Sequence, residues 1–168
     1  MTRKILVSVI AAIPMVAIAI IIFMFSAQPG EQSSQTSGIV VEIATAIVHT
    51  GFDSLSSEDQ AKVRDVLEIV IRKLAHFTEF AGFGGSIYLF MMTLPFKKEL
   101  KRRLVTVGSG VVYAASDEFH QLFVPGREGH IRDVCIDSAG IVTGMFVLVL
   151  MVYIIRKIVK KDINTANL

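Results

Sequence analysis

Three groups of ionisable residues are spaced to share helix faces. Arg72, His76 and Glu79 follow i, i+4, i+7 and so fall on one side of a helix. Asp117, His120 and Gln121 stand at i, i+3, i+4, with Glu118 beside them, and Asp133 and Asp137 are i, i+4 apart. Histidines close to carboxylates can move protons. Neighbouring carboxylates in a low-dielectric site titrate apart, so that one can act as acid and another as base. The candidate catalytic residues are therefore His76, Glu79, Asp117, Glu118 and His120. His76, Glu79, Asp117, Glu118, His120 and Asp133 are also chemically suited to a divalent cation. No sequential motif such as His-Glu-x-x-His occurs, however, and the metal and any cofactor stay unassigned. Arg72, Lys73, Arg127 and Arg132 offer a different chemistry. A planar guanidinium matches phosphate or carboxylate with two parallel hydrogen bonds.

The elements that must position these groups read as membrane helices. Apolar stretches run over about Ile5–Phe25, Ala75–Leu94, Leu104–Val124 and Val134–Ile155. Each approaches or exceeds the roughly 20 residues that cross a bilayer core. The composition agrees: 52% of the 168 residues are hydrophobic and the mean hydropathy is +0.59, which fits a small polytopic membrane protein better than a soluble domain. The single cysteine, Cys135, excludes an intrachain disulfide and a Cys-based zinc site. The first stretch is longer than a signal-peptide core and lacks a small-x-small cleavage site. It reads as a retained helix, with Pro14 as a place for a kink. The expectation is an all-α bundle of four transmembrane helices forming one domain over 1–168.

Basic residues set the orientation. Arg3 and Lys4, the run Lys97–Arg103, and Arg156, Lys157, Lys160 and Lys161 all fall on one side of a four-span arrangement. The positive-inside rule makes that side the cytoplasm, with both termini there. The ionisable residues of the spans then gather at the outer ends: Ser26 and Gln28 after the first, Arg72, Lys73, His76 and Glu79 entering the second, Asp117 to Gln121 leaving the third, and Asp133 and Asp137 entering the fourth. Intramembrane charges are costly, so an outward-facing polar site is expected, with Arg72, Lys73, Gln121, Arg127, Asp133, Asp137, Ser26 and Gln28 as binding residues. Ala81 and Gly85, Gly110 and Ala114, and Gly140 and Gly144 give small-xxx-small spacings that favour close helix packing.

Between the first two spans, residues 27–38 read as a polar, turn-rich linker. Ile39–Thr50 reads as an amphipathic helix on the outer face, with Ile39, Ile43, Ala46, Ile47 and Thr50 on one side and Glu42, Thr45 and His49 on another. Gly51 would cap it. Ser57-x-x-Gln60 has the spacing of a capping box, so a further helix is expected to start there and run into the second span.

These residues carry a family resemblance. Arg72-Lys73-Leu74-Ala75-His76-Phe77-Thr78-Glu79-Phe80 resembles the first motif of VanZ-like membrane proteins. Asp117-Glu118-Phe119-His120-Gln121-Leu122-Phe123-Val124-Pro125-Gly126-Arg127, with Asp133-Val134 and on to Gly140 and Gly144, resembles the second. Phe25-Ser26-Ala27-Gln28-Pro29 is similar to the family's Ser-Gln-Pro segment. Asp137 stands where the family often has Asn. The resemblance implies a cell-membrane protein of Gram-positive type and low-level resistance to teicoplanin, a glycopeptide antibiotic. It implies no particular reaction.

Three functional classes remain open. One is an enzyme acting on a lipid-linked cell-envelope substrate. Another is a binder of membrane lipids, a wall precursor or a lipoglycopeptide. The third is a small transporter or proton pathway; nucleic acid is not an expected partner. Each feature also has a purely structural reading. His76 and Glu79 can join helices, Asp117, Glu118 and His120 can be interfacial polar groups, Arg127 and Arg132 can touch headgroups, Cys135 can pack, and Lys97–Arg103 can set topology.

Overall fold

The computed structural model describes residues 2–47 and 49–166, and among these the chain is helical without strands. The helices are α1 (Thr2–Ser26), α2 (Gly30–Ile47), the single turn α3 (His49–Phe52), α4 (Ser57–Met91), α5 (Glu99–Gln121) and α6 (Ile131–Ala166). Helices α1 and α6 include stretches long and apolar enough to cross a membrane, Thr2–Ser26 and Ile131–Lys161. Their apolar side chains are largely exposed, among them Ile13, Ile20 and Met24 on α1 and Val147, Leu150 and Met151 on α6. Apolar surface on that scale suits lipid, not water. The expected second and third spans fall within α4 and α5 but end earlier. Thr93 and Leu94 lie in the turn after α4, and Leu122–Val124 in the turn after α5. Helix α1 continues unbroken through Pro14.

The expected linker at residues 27–38 is largely helical, contrary to expectation: α2 begins at Gly30 and absorbs the Ser- and Gln-rich stretch. Its inward stripe is Ser33, Ser37, Val41 and Thr45, all buried. The hydroxyls of Ser37 and Thr45 donate to Ser33 O and Val41 O one turn back, so those two need no outside partners. Ile39, Ile43 and Ile47 face away from the protein. Gly51 sits inside α3 and caps nothing. Val48 and the side chains of His49 and Thr50 lie outside the described residues. The cap of α4 falls one residue earlier than expected. Ser56 Oγ accepts from Asp59 N and donates to Asp59 Oδ2.

Helix α4 is the hub. Its most extensive pairing is with α6, and α1, α5 and α2 also pack on it. The core joins Ile22 of α1, Phe80, Phe83 and Ile87 of α4, Ala114 of α5 and Ile141 of α6. Small residues allow this approach. A Cβ on Gly140 would lie 2.4 Å from Phe77 O, and one on Gly84 would lie 2.3 Å from Ile141 O. The α4–α6 backbones therefore touch. Where lipid tails are as apolar as leucine, such close contact is what holds helices together. The Tyr113 hydroxyl donates to Ala19 O at 2.7 Å and ties α5 to α1.

Candidate functional site

The polar site forms where α1 and α5 end, α6 begins and α4 passes its midpoint. The connection from α5 to α6 reverses direction through Gly126, whose φ of 72° lies in the left-handed region that favours glycine. That turn meets the α1–α2 junction. Gly30 N donates to Pro125 O at 3.0 Å, and a Cβ on Gly30 would lie 2.1 Å from Gly126 O. Arg127 locks the contact: Nε donates to Gln28 O at 3.1 Å and Nη2 to Phe25 O at 3.0 Å. A cation on the last carbonyls of α1 also complements the helix dipole. Burial, with the Arg72 charge close by, pulls the Arg127 guanidinium below its ordinary pKa.

A cavity of about 820 Å³ opens at this end. Arg72, Lys73 and His76 line it from α4, and Glu118 and Gln121 from α5. Arg127, Glu128 and His130 line it from the connection, and Arg132, Asp133 and Asp137 from α6. The four Arg and Lys side chains are matched by four carboxylates, so the lining is formally neutral.

The charges are not evenly paired. Lys73 forms an ion pair with Asp133 across α4 and α6. Glu118 Oε1 accepts from His130 N at 2.6 Å, holding the start of α6 against the end of α5. At the rim, His130 Nε2 stands 3.4 Å from Glu128 Oε2. Among the described residues, neither Arg72 nor Arg132 has an ion-pair partner. Asp137 is fully buried, and neither of its carboxylate oxygens has a hydrogen-bond partner among the described residues. His76 Nδ1, also unpartnered, is 3.8 Å from Asp137 Oδ1, too far for a hydrogen bond.

The sequence-derived candidates thus divide. His76 and Glu118 line the cavity, as do Arg72, Lys73, Gln121, Arg127, Asp133 and Asp137. Glu79, Asp117 and His120 do not. Asp117 is buried behind the lining, where Oδ2 accepts from Gln121 Nε2 at 3.1 Å. Ser26, also buried, lies beside Asp117 without closing a well-formed hydrogen bond. His120 stacks on Phe23 with ring centres 4.8 Å apart. Glu79 lies within electrostatic reach of Asp117 and Arg127. Gln28 contributes its main-chain carbonyl to Arg127. Among the described residues, no three His, Cys, Asp or Glu side chains are grouped to hold a metal ion. Sequence reasoning missed Glu128 and His130 because they sit in the connection between α5 and α6, where no helical spacing marks them. Their one signal was their position between two motif halves.

The arrangement can do two things chemically: offer unpaired guanidinium groups to an anion, and offer unpaired acceptors to a donor deeper in. No curated protein and no solved structure matches the chain significantly. The VanZ/LLP1 family model matches residues 11–154, a stretch that holds both motifs and every residue lining the cavity. The chain belongs to the VanZ/LLP1 family.

Proposed function

We propose that this protein is a four-span, single-domain membrane protein with both termini in the cytoplasm. Its outward-facing cavity binds the anionic headgroup of a cell-envelope lipid or lipid-linked wall precursor, and that binding alters susceptibility to teicoplanin-type glycopeptides. The observation that carries the reading is the pair of cavity-lining arginines, Arg72 and Arg132, without carboxylate partners among the described residues. A guanidinium at a membrane boundary favours a bidentate anion such as phosphate. Support for the orientation comes from Lys97, Lys98, Lys101, Arg102 and Arg103, which follow α4 at the end away from the cavity.

Acid–base catalysis has weaker support. Glu118 is engaged by a main-chain N–H and Asp117 by Gln121. Transport has less still, because the polar groups crowd one end of the bundle and not its middle.

The test is lipid binding by the purified full chain, read by native mass spectrometry. A short-chain phosphatidic acid should bind, and the matching diacylglycerol should not. The Arg72→Gln/Arg132→Gln double variant should bind the phosphatidic acid at least tenfold more weakly. Equal retention of the two lipids refutes the reading. Expression in a susceptible Gram-positive host should raise the teicoplanin concentration needed to stop growth, and the double variant should not.

A further inference from the structure

The phosphate reading leaves the floor of the cavity unexplained. Asp137 has a side chain only 1% exposed, yet it lines the cavity and neither oxygen is hydrogen-bonded. A buried carboxylate without a partner is costly, by at least the 1–3 kcal/mol typical of an unsatisfied buried group. His76 Nδ1 faces it across 3.8 Å and is equally unpartnered. That gap is too wide for a direct bond, but one donor nitrogen placed between the two can reach both. An ionised phosphodiester has only acceptors to offer here and would worsen the deficit.

Resting on the proposed anion site, we infer that the ligand is a phosphate ester carrying a primary ammonium, with the phosphate at Arg72 and the ammonium between Asp137 and His76. Two further observations fit. The lining is formally neutral, so a ligand with one negative and one positive group leaves its charge balanced. Arg72 stands four residues before His76 on the same helix, one turn or about 6 Å along the axis. A phosphate and an ammonium joined by a two-carbon link span a comparable distance. Lys73 does not compete for the floor, because it is paired with Asp133.

The experiment compares dioctanoyl phosphatidylethanolamine with its N-acetyl derivative, which keeps the phosphate and loses the ammonium. Binding is measured on the full chain in detergent. The wild type should bind the ammonium form at least tenfold more tightly. Asp137→Asn should bring that ratio close to one while the N-acetyl lipid still binds. Equal binding of both lipids by the wild type overturns this inference and leaves the phosphate site standing. Binding of neither overturns both. A ratio that survives in Asp137→Asn, verified as monodisperse and folded, also overturns it. The wild-type ratio alone decides the matter if that variant fails to fold. Competition by soluble O-phosphoethanolamine supports recognition of the free headgroup; binding confined to the lipid supports recognition of the same group in a membrane.

Discussion

Replacing Gly144 with alanine puts one methyl group where α4 leaves no room for it. The new Cβ would lie 1.7 Å from Ala81 O and 2.5 Å from Ala81 C, whereas ordinary contact begins at 3.4 Å. The obstacle is helix backbone, which cannot rotate aside as a side chain can. The two helices must therefore part locally by about 1.7 Å, the shortfall from ordinary contact to the nearer atom. Overpacking of this kind costs about 1–3 kcal/mol, and a gap of even 0.5–1 Å forfeits a quarter to a half of each contact's dispersion energy. Alanine returns about 1 kcal/mol of helix propensity. Because the clash is with backbone, the upper end of that overpacking range applies, and the net loss is about 2 kcal/mol, or roughly 4–8 °C in Tm for a chain of this size. Gly108→Ala is the matched control, because nothing lies within 4 Å of its Cβ and only the propensity gain applies. The assay is far-UV circular dichroism on detergent-purified protein, since the chain has no tryptophan to report by fluorescence. Gly144→Ala should melt lower than wild type and Gly108→Ala at the same temperature or higher. If Gly144→Ala melts at or above wild type, the close α4–α6 contact is not what holds the bundle.

Two other perturbations test the ends of the bundle. Arg127→Gln removes two charge-assisted hydrogen bonds, one to Phe25 O in the last turn of α1 and one to Gln28 O in the turn after it, each worth about 1.5–3 kcal/mol. It should speed amide exchange at residues 25–30 and lower Tm, while unchanged exchange there would show that the α1–α2 junction is held by other contacts. At the opposite end, Glu99 accepts from the Tyr88 hydroxyl and pairs with Arg103 and Arg102. The Tyr88 bond, then those two arginines, hold its carboxyl below the ordinary value of 4.5. A depressed folded-state pKa stabilises the fold fully above the unfolded value, and the contribution is lost as pH falls through the lower folded value. Tm should therefore fall with acidification below about pH 4.5 in wild type and fall less in Glu99→Gln. Parallel acid limbs would assign the acid sensitivity to other groups.

How much was legible without coordinates differs from element to element. The start of α4 could be read to within one residue because the Ser57-x-x-Gln60 spacing is a local signature, although the serine that caps the helix is Ser56, bonded to Asp59. The Ser- and Gln-rich stretch after α1 could not. Its residues favour turns in isolation, and it is helical because Ser33, Ser37, Val41 and Thr45 form a stripe buried in the fold. The apolar side of α2 was identified correctly by periodicity, but which side the protein covers is decided by the neighbour, and here the neighbour covers the hydroxyl side.

What the chain determined alone is the inventory: apolar stretches, shared helix faces for Arg72 and His76 and for Asp133 and Asp137, small residues where helices cross, and the two family motifs. Helical periodicity and the cost of buried charge act over a few residues, so they can be read along a line. Tertiary structure decided which charges are already answered. Lys73 meets Asp133 across 60 positions, Glu118 is taken by His130 N, and Arg127 turns to carbonyls at the α1–α2 junction some 100 positions away. Among the described residues, Arg72, Arg132 and Asp137 are left over. Pairing depends on a few ångströms between distant segments, and those distances exist only once α4 and α6 have closed on each other.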